Sequence, residues 1–160
     1  GIKLLEYNAR FGDPETMNVI PLLKTSFVEV CKATAEGRLS KLKVEFESKA
    51  TVCKYVVPEG YPDNPMPGKI EVPSVEKDYI KSLVYFAAVE EKQDGIYTTK
   101  SRAVAFVGVA DTIAAAEKIA EEAAAMVKGR VFHRKDIGTY QLVQKRVEHV
   151  RRIVGKNRRA

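Results

Sequence analysis

The apolar and polar positions change period several times along the chain, and each change marks an element. Over Ile2–Phe11 they alternate, which predicts a strand with Glu6, Asn8 and Arg10 on one face and Tyr7, Ala9 and Phe11 on the other. Asp13-Pro14 then opens a helix, with aspartate as N-cap and proline in the first turn. Met17, Ile20 and Leu23 follow at helical spacing, and Pro21 should kink or end that helix. A second helix is predicted from Ser26 to Glu36, with Phe27, Val30, Cys31 and Ala35 on one face and Gly37 as its stop.

From Lys43 to Val57 alternating Val, Phe, Thr and Tyr predict two short strands, and the four prolines between Pro58 and Pro67 predict a loop. Strands are expected again at Val84–Glu90, Gly95–Thr98 and Arg102–Val109, with a hairpin turn at Lys92–Gly95. The run Val104–Val109 is apolar on both faces, as a central strand would be. Asp111 is the expected cap of a helix carrying Ile113, Ala116, Ala120, Ala123 and Val127 at spacings of three and four, stopped by Gly129. Its alanine stripe would let it lie close to a sheet. A last helix, about Tyr140 to Val154, aligns Val143, Val147, Val150 and Val154. The order of elements predicts an α+β fold, antiparallel strands with helices packed on one face.

Composition changes this picture in one respect. The 160 residues are 45% hydrophobic, as in a folded domain, and carry a formal net charge of +6. That charge is confined to residues 145–160, because residues 1–144 hold 20 basic and 20 acidic side chains. The body is neutral and the tail is basic. No apolar run approaches the ~20 residues that span a bilayer, so no membrane partner is expected. Cys31 and Cys53 lack the spacing of a zinc ribbon or a disulfide scaffold and read as two half-buried thiols in a reducing compartment. No signal peptide is visible, and the segment that begins at Gly1 reads like the middle of a fold.

Candidate chemistry is densest at Glu6-Tyr7-Asn8-Ala9-Arg10-Phe11-Gly12-Asp13-Pro14-Glu15. A carboxylate and an amide carbonyl side by side are hard oxygen ligands suited to Mg2+. A guanidinium one step further along the same face could hold an anionic oxygen bidentately. The trio suits phosphoryl transfer, and a solvated strand face with an internal ion pair is the alternative on spacing alone.

These residues also resemble a family. The stretch LLEYNARFGDPETMNVIPLL, Leu4 to Leu23, is similar to the end of the ATP-grasp domain of the phosphoribosylamine–glycine ligase (glycinamide ribonucleotide synthetase) family. A bare E-x-N would fit any ATP-grasp enzyme, whereas EYNxRFGDPET is specific. The resemblance continues through SFVEVCKATAEGRL, through EGYP at Glu59–Pro62, and through Ser101–Gly138 to the closing RKDIG, Arg134–Gly138. Lys100-Ser101-Arg102 departs from the family, where a glycine pair is common.

The resemblance implies an ATP-dependent carboxylate–amine ligase of purine biosynthesis. ATP would phosphorylate glycine, and the amine of phosphoribosylamine would attack the glycyl phosphate, giving glycinamide ribonucleotide, ADP and phosphate. Glu6 and Asn8 match the positions that ligate Mg2+ or Mn2+ against the nucleotide phosphates. Arg10 would act catalytically on the transferred phosphoryl group or the carboxylate. Asp13 matches a substrate-side position, for which helix capping is an equally good account. Arg134 and Lys135 would hold the phosphate of phosphoribosylamine, with Gly138 allowing the turn behind them. The alternative for this motif is a surface loop in which Asp136 pairs with a neighbouring cation. His133 is expected to pack or hydrogen-bond rather than to catalyse, and His149 to be solvated.

On this reading residues 1–42 are the C-terminal edge of the ATP-grasp domain, 43–139 an antiparallel α+β domain, and 140–160 a basic helix and tail. No glycine-rich phosphate loop, adenine pocket or nucleotide-reaching lysine can be found, so the chain is expected to be a fragment, inactive alone, whose partners are the missing N-terminal and ATP-grasp domains. A cytoplasmic location is expected. Three other classes compete: another ATP-grasp ligase or carboxylase, a nucleic-acid-binding module using the tail, and a non-catalytic structural domain, against which the Glu6, Asn8 and Arg10 face argues. The tail interleaves no stacking aromatics with its cations, so no nucleic-acid partner is expected.

Overall fold

The structure, a computed structural model, describes residues 3–6, 8–74 and 81–157. The expectations for Ile2, Tyr7, Arg158 and Arg159 lie outside the described residues. In chain order the elements are α1 (Glu15–Val19), α2 (Phe27–Ala35), β1 (Ala50–Pro58), β2 (Lys69–Glu71), β3 (Leu83–Phe86), β4 (Val89–Lys92), β5 (Gly95–Thr98), β6 (Val104–Ala110), α3 (Ile113–Ala125), β7 (Lys128–Gly129), β8 (Val131–His133) and α4 (Tyr140–Asn157). Single 3-10 turns stand at Ile20–Leu22 and Leu39–Lys41. Contacts group the chain into two units, 1–49 and 50–160.

In the first unit no strand forms among the described residues of the stretch expected to be one, 3–6 and 8–11. Residues 3–6 and 8–12 have no regular hydrogen bonding, because a strand exists only where a neighbour supplies the other half of the ladder. The first helix starts at Glu15, so its N-cap position falls on Pro14 rather than on Asp13, and proline offers no side-chain cap. As expected, the α-helix does not survive Pro21; it tightens into the 3-10 turn that contains it. Ser26 and Glu36 flank α2, and Gly37 takes a φ of +65°. The face predicted to be buried is largely not: Phe27, Cys31 and Ala35 are exposed, Val30 is half-buried, and Ala33 is the buried position. The segment Lys43–Val57 holds one long strand, not two. Its first half makes only a single bridge, Phe46 to Leu23, joined by the Glu47 amide donating to the Leu22 carbonyl at 2.7 Å.

The second unit contains two four-stranded antiparallel sheets, ordered β3-β6-β1-β8 and β4-β5-β2-β7. The fold is α+β, as predicted. Strand β6 lies between two neighbours and buries Val104 to Gly108 without interruption, which is why its sequence is apolar on both faces. The predicted strand Val84–Glu90 is divided between the two sheets: β3 pairs with β6, and β4 pairs with β5 around the expected turn at Lys92–Gly95. Strands β2, β7 and β8, two or three residues each, carry too little pattern to be predicted. Both sheets feed one core, in which Ile70 of β2 packs with Val56, Val104 and Phe106 and with Ala123 and Ala124 of α3.

Helix α3 is capped by Thr112, not Asp111. Thr112 has the extended backbone an N-cap needs, and its hydroxyl accepts from the Ala115 amide at 3.2 Å. The helix ends at Ala125, and Gly129 stands in β7 instead of stopping it. The alanine stripe does what its spacing promised. Ala116, Ala120, Ala123 and Ala124 are buried, and the helix approaches β6 so closely that a Cβ on Gly108 would lie 1.9 Å from the Ala116 carbonyl oxygen. The thiols differ from expectation in burial: Cys31 is exposed and Cys53 is buried in β1.

Candidate functional site

The sequence-predicted residues fall in both units. In the first, Glu6, Asn8, Arg10 and Asp13 are all exposed. Among the described residues no pleated ladder forms here to align Glu6, Asn8 and Arg10 on one face. One guanidinium nitrogen of Arg10 donates to the adjacent Phe11 carbonyl at 2.9 Å. The Phe11 ring rests on Phe27, with centroids 5.6 Å apart, so the end of this segment is attached to α2 by an aromatic contact. Among the described residues no group of three or more His, Cys, Asp or Glu could hold a metal ion. The donors present, one carboxylate and one amide carbonyl, still fit a hard divalent cation that keeps water and phosphate oxygens as its remaining ligands.

In the second unit, Arg134 and Lys135 follow directly on β8, the edge strand next to β1. Arg134 is held in the plane of the Asp136 carboxylate: its Nε donates to Oδ1 at 3.0 Å and its Nη2 to Oδ2 at 2.7 Å. This is the pairing foreseen as the alternative to ligand binding. The hydrogen bonds from Arg134 hold the Asp136 carboxyl below its ordinary range and raise the guanidinium in turn. Lys135 is exposed. Behind them the chain turns at Gly138, at a φ of +80°, where a Cβ would meet Val52 Cγ1 at 2.8 Å. The turn therefore requires glycine both for conformation and for space.

Sequence reasoning missed what lies beneath this loop. Val52, Lys54 and Val56 alternate onto one face of β1; Val52 packs with Ala116 and Ala120 of α3, and Val56 with Ala123. Lys54 is fully buried there, and its ammonium donates to Glu117 Oε1 at 2.6 Å, to Glu121 Oε2 at 2.5 Å and to the Lys135 carbonyl at 2.9 Å. Three N–H donors meet three acceptors. Nε2 of His133 lies 3.1 Å from both oxygens of Glu121. An ionised carboxylate only accepts, so Nε2 carries the proton in this arrangement. Burial alone would push the Glu121 carboxyl up, but the hydrogen bonds from Lys54 and His133 outweigh it and hold it below the usual range. The hydrogen bonding expected of His133 is what this geometry shows. A signal was present: one lysine inside an apolar strand, and two glutamates four residues apart beside the alanine stripe.

Comparison with known proteins bears on what this loop serves. The family model described as phosphoribosylglycinamide synthetase, C domain, matches residues 51–140, from the start of β1 to the start of α4. The chain belongs to this family. Proteins named phosphoribosylamine–glycine ligase resemble it over nearly its whole length. That of Methanocaldococcus jannaschii is 53% identical over 156 residues, 96% of this chain and 35% of the relative. That of Methanocella arvoryzae is 54% identical over 155 residues, 97% of this chain and 35% of the relative. A crystal structure of the Thermotoga maritima phosphoribosylamine–glycine ligase superposes with a TM-score of 0.68 at 31% identity, covering 83% of this chain and 32% of that one. The chain thus spans about a third of the length of the relatives it matches. No helix among the described residues is long and apolar enough to cross a membrane.

Proposed function

We propose that this chain is the C-terminal part of an ATP-dependent ligase that joins glycine to phosphoribosylamine, giving glycinamide ribonucleotide, ADP and phosphate in cytoplasmic purine biosynthesis. The observation that carries the reading is the match of residues 51–140 to the synthetase C domain, combined with identity above 50% to ligases of that name across both units. Residues 1–42 form the edge of an ATP-grasp domain on this reading. Residues 43–139 form the C domain, and 140–160 a basic helix and tail.

Each residue has a role that its chemistry supports. Glu6 and Asn8 hold Mg2+ or Mn2+, which when bound neutralises the nucleotide phosphates. Arg10 presents an exposed guanidinium to the phosphoryl group as it passes from ATP to the glycine carboxylate, where negative charge must be stabilised. Asp13, which precedes the N-cap position of α1, stands on the substrate side on this reading. Arg134 and Lys135 bind the phosphate of phosphoribosylamine and so hold its amine for attack on the glycyl phosphate. A phosphate taken by Arg134 must displace or share it with Asp136, so binding should depend on this pair. In the full-length enzyme, Arg134→Ala should raise the KM for phosphoribosylamine about tenfold or more and leave the KM for ATP unchanged. Loss of thermal stability with an unchanged KM would remove Arg134 and Lys135 from the binding site.

A further inference from the structure

A lysine buried in a core is expensive unless each donor is met, and an apolar residue of similar size would fill the space between β1 and α3 without that cost. What the Lys54 ammonium supplies, and an apolar side chain cannot, is a fixed hydrogen bond to the Lys135 carbonyl at 2.9 Å. Glu117 and Glu121, on successive turns of α3, hold the ammonium in place at 2.6 and 2.5 Å. Glu121 also holds the His133 ring at 3.1 Å. Arg134 is therefore fastened on both sides, by the side chain of His133 before it and by the backbone carbonyl of Lys135 after it. Its own side chain is exposed and is held by Asp136.

We infer that Lys54, with Glu117, Glu121 and His133, is a positioning network that sets the backbone of residues 133–135 and thereby aims Arg134 and Lys135 at the phosphate of the amine substrate. The inference rests on the role proposed for those two residues. Lys54 touches no substrate; it acts through the carbonyl it holds. The network joins the central strand and the packed helix to the loop at the sheet edge, so the loop inherits the rigidity of the core.

The test uses the full-length enzyme carrying Lys54→Met, Glu117→Gln and Glu121→Gln together. This combination removes the tether while leaving no unpaired charge in the core. The KM for phosphoribosylamine should rise about tenfold or more, with kcat and the KM values for ATP and glycine within about twofold of the parent. Combined with Arg134→Ala, the triple change should add little further, because the group it positions is gone. If the triple variant does not fold, Glu121→Leu alone, which frees His133 and leaves Lys54 paired to Glu117, should show the same split at smaller size. An unchanged phosphoribosylamine KM, or an equal fall in every parameter, would overturn the inference. Additive effects with Arg134→Ala would overturn it as well. If Arg134→Ala itself leaves that KM unchanged, the binding role of the loop fails first and the inference falls with it.

Discussion

Among the described residues of the first unit only Ala33 is fully buried, whereas β6 of the second unit buries five residues in succession, Val104 to Gly108. In the first unit Leu4 is 73% exposed, Leu5 95% and Val28 74%, and the residues proposed to hold a metal and a phosphoryl group lie on a segment without a ladder. In the second, the proposed phosphate-binding loop is fastened to a core that two sheets and a helix build together. The difference lies in where local geometry comes from. Glu6, Asn8 and Arg10 receive little of theirs from packing within this chain, so substitutions there should change chemistry and leave stability alone. Around Arg134 geometry and stability are coupled, because the groups that position the loop are also buried.

The strongest way to break this comparison is to truncate one apolar side chain in each unit. Phe106 is fully buried and pairs across from Lys54, so Phe106→Ala should cost about 3–5 kcal/mol in urea unfolding of this chain. Leu5→Ser, at a position already facing solvent, should stay within about 0.5 kcal/mol of the parent. Similar losses at the two positions would show that Leu5 has a burial partner and that the contrast between the units is false.

A smaller effect sharpens the account of the core. Gly108→Ala places a Cβ against backbone atoms of α3, with Ala116 O at 1.9 Å and Ala120 N at 3.1 Å, so helix and sheet must separate. The expected cost is about 1–3 kcal/mol. Gly68→Ala in the same unit meets nothing within 4 Å and should be neutral or slightly stabilising. Equal outcomes in thermal unfolding would mean that the helix is free to yield.

The parts of this molecule that were legible in advance are those whose pattern is local. The alanine stripe announced a helix lying close on a sheet, the two-sided apolar run announced β6 as central, and Pro21 marked the end of α1. Illegible features depended on partners distant in sequence. Alternation over Ile2–Phe11 could not show whether a neighbouring strand was there to complete it. Strands β7 and β8 exist only because β2 and β1 offer edges. The EYNARFGDPE and RKDIG strings pointed to the candidate residues, yet Lys54 stayed hidden because its partners stand 63, 67 and 81 residues away.

The smallest expected effect tests whether the buried network carries charge as described. Glu121 has its carboxyl held below the ordinary value of 4.5, so the folded state binds this proton more weakly than the unfolded chain does. The stability it contributes is complete above that ordinary value and is lost as pH falls through the lower, folded-state value. Asp94, hydrogen-bonded by Lys69 and Tyr97, and Asp136, hydrogen-bonded by Arg134, are shifted in the same direction and would add to the same acid limb. Both are exposed, and salt screens exposed pairs far more than partly buried ones. Urea midpoints followed from about pH 7 to about pH 3 in about 1 M salt should therefore isolate the buried contribution. Glu121→Gln should lower the midpoint at neutral pH and flatten the fall toward acid. An acid limb of unchanged steepness in Glu121→Gln would place its origin outside the Lys54 network, and the coupling of loop geometry to core stability would lose its electrostatic support.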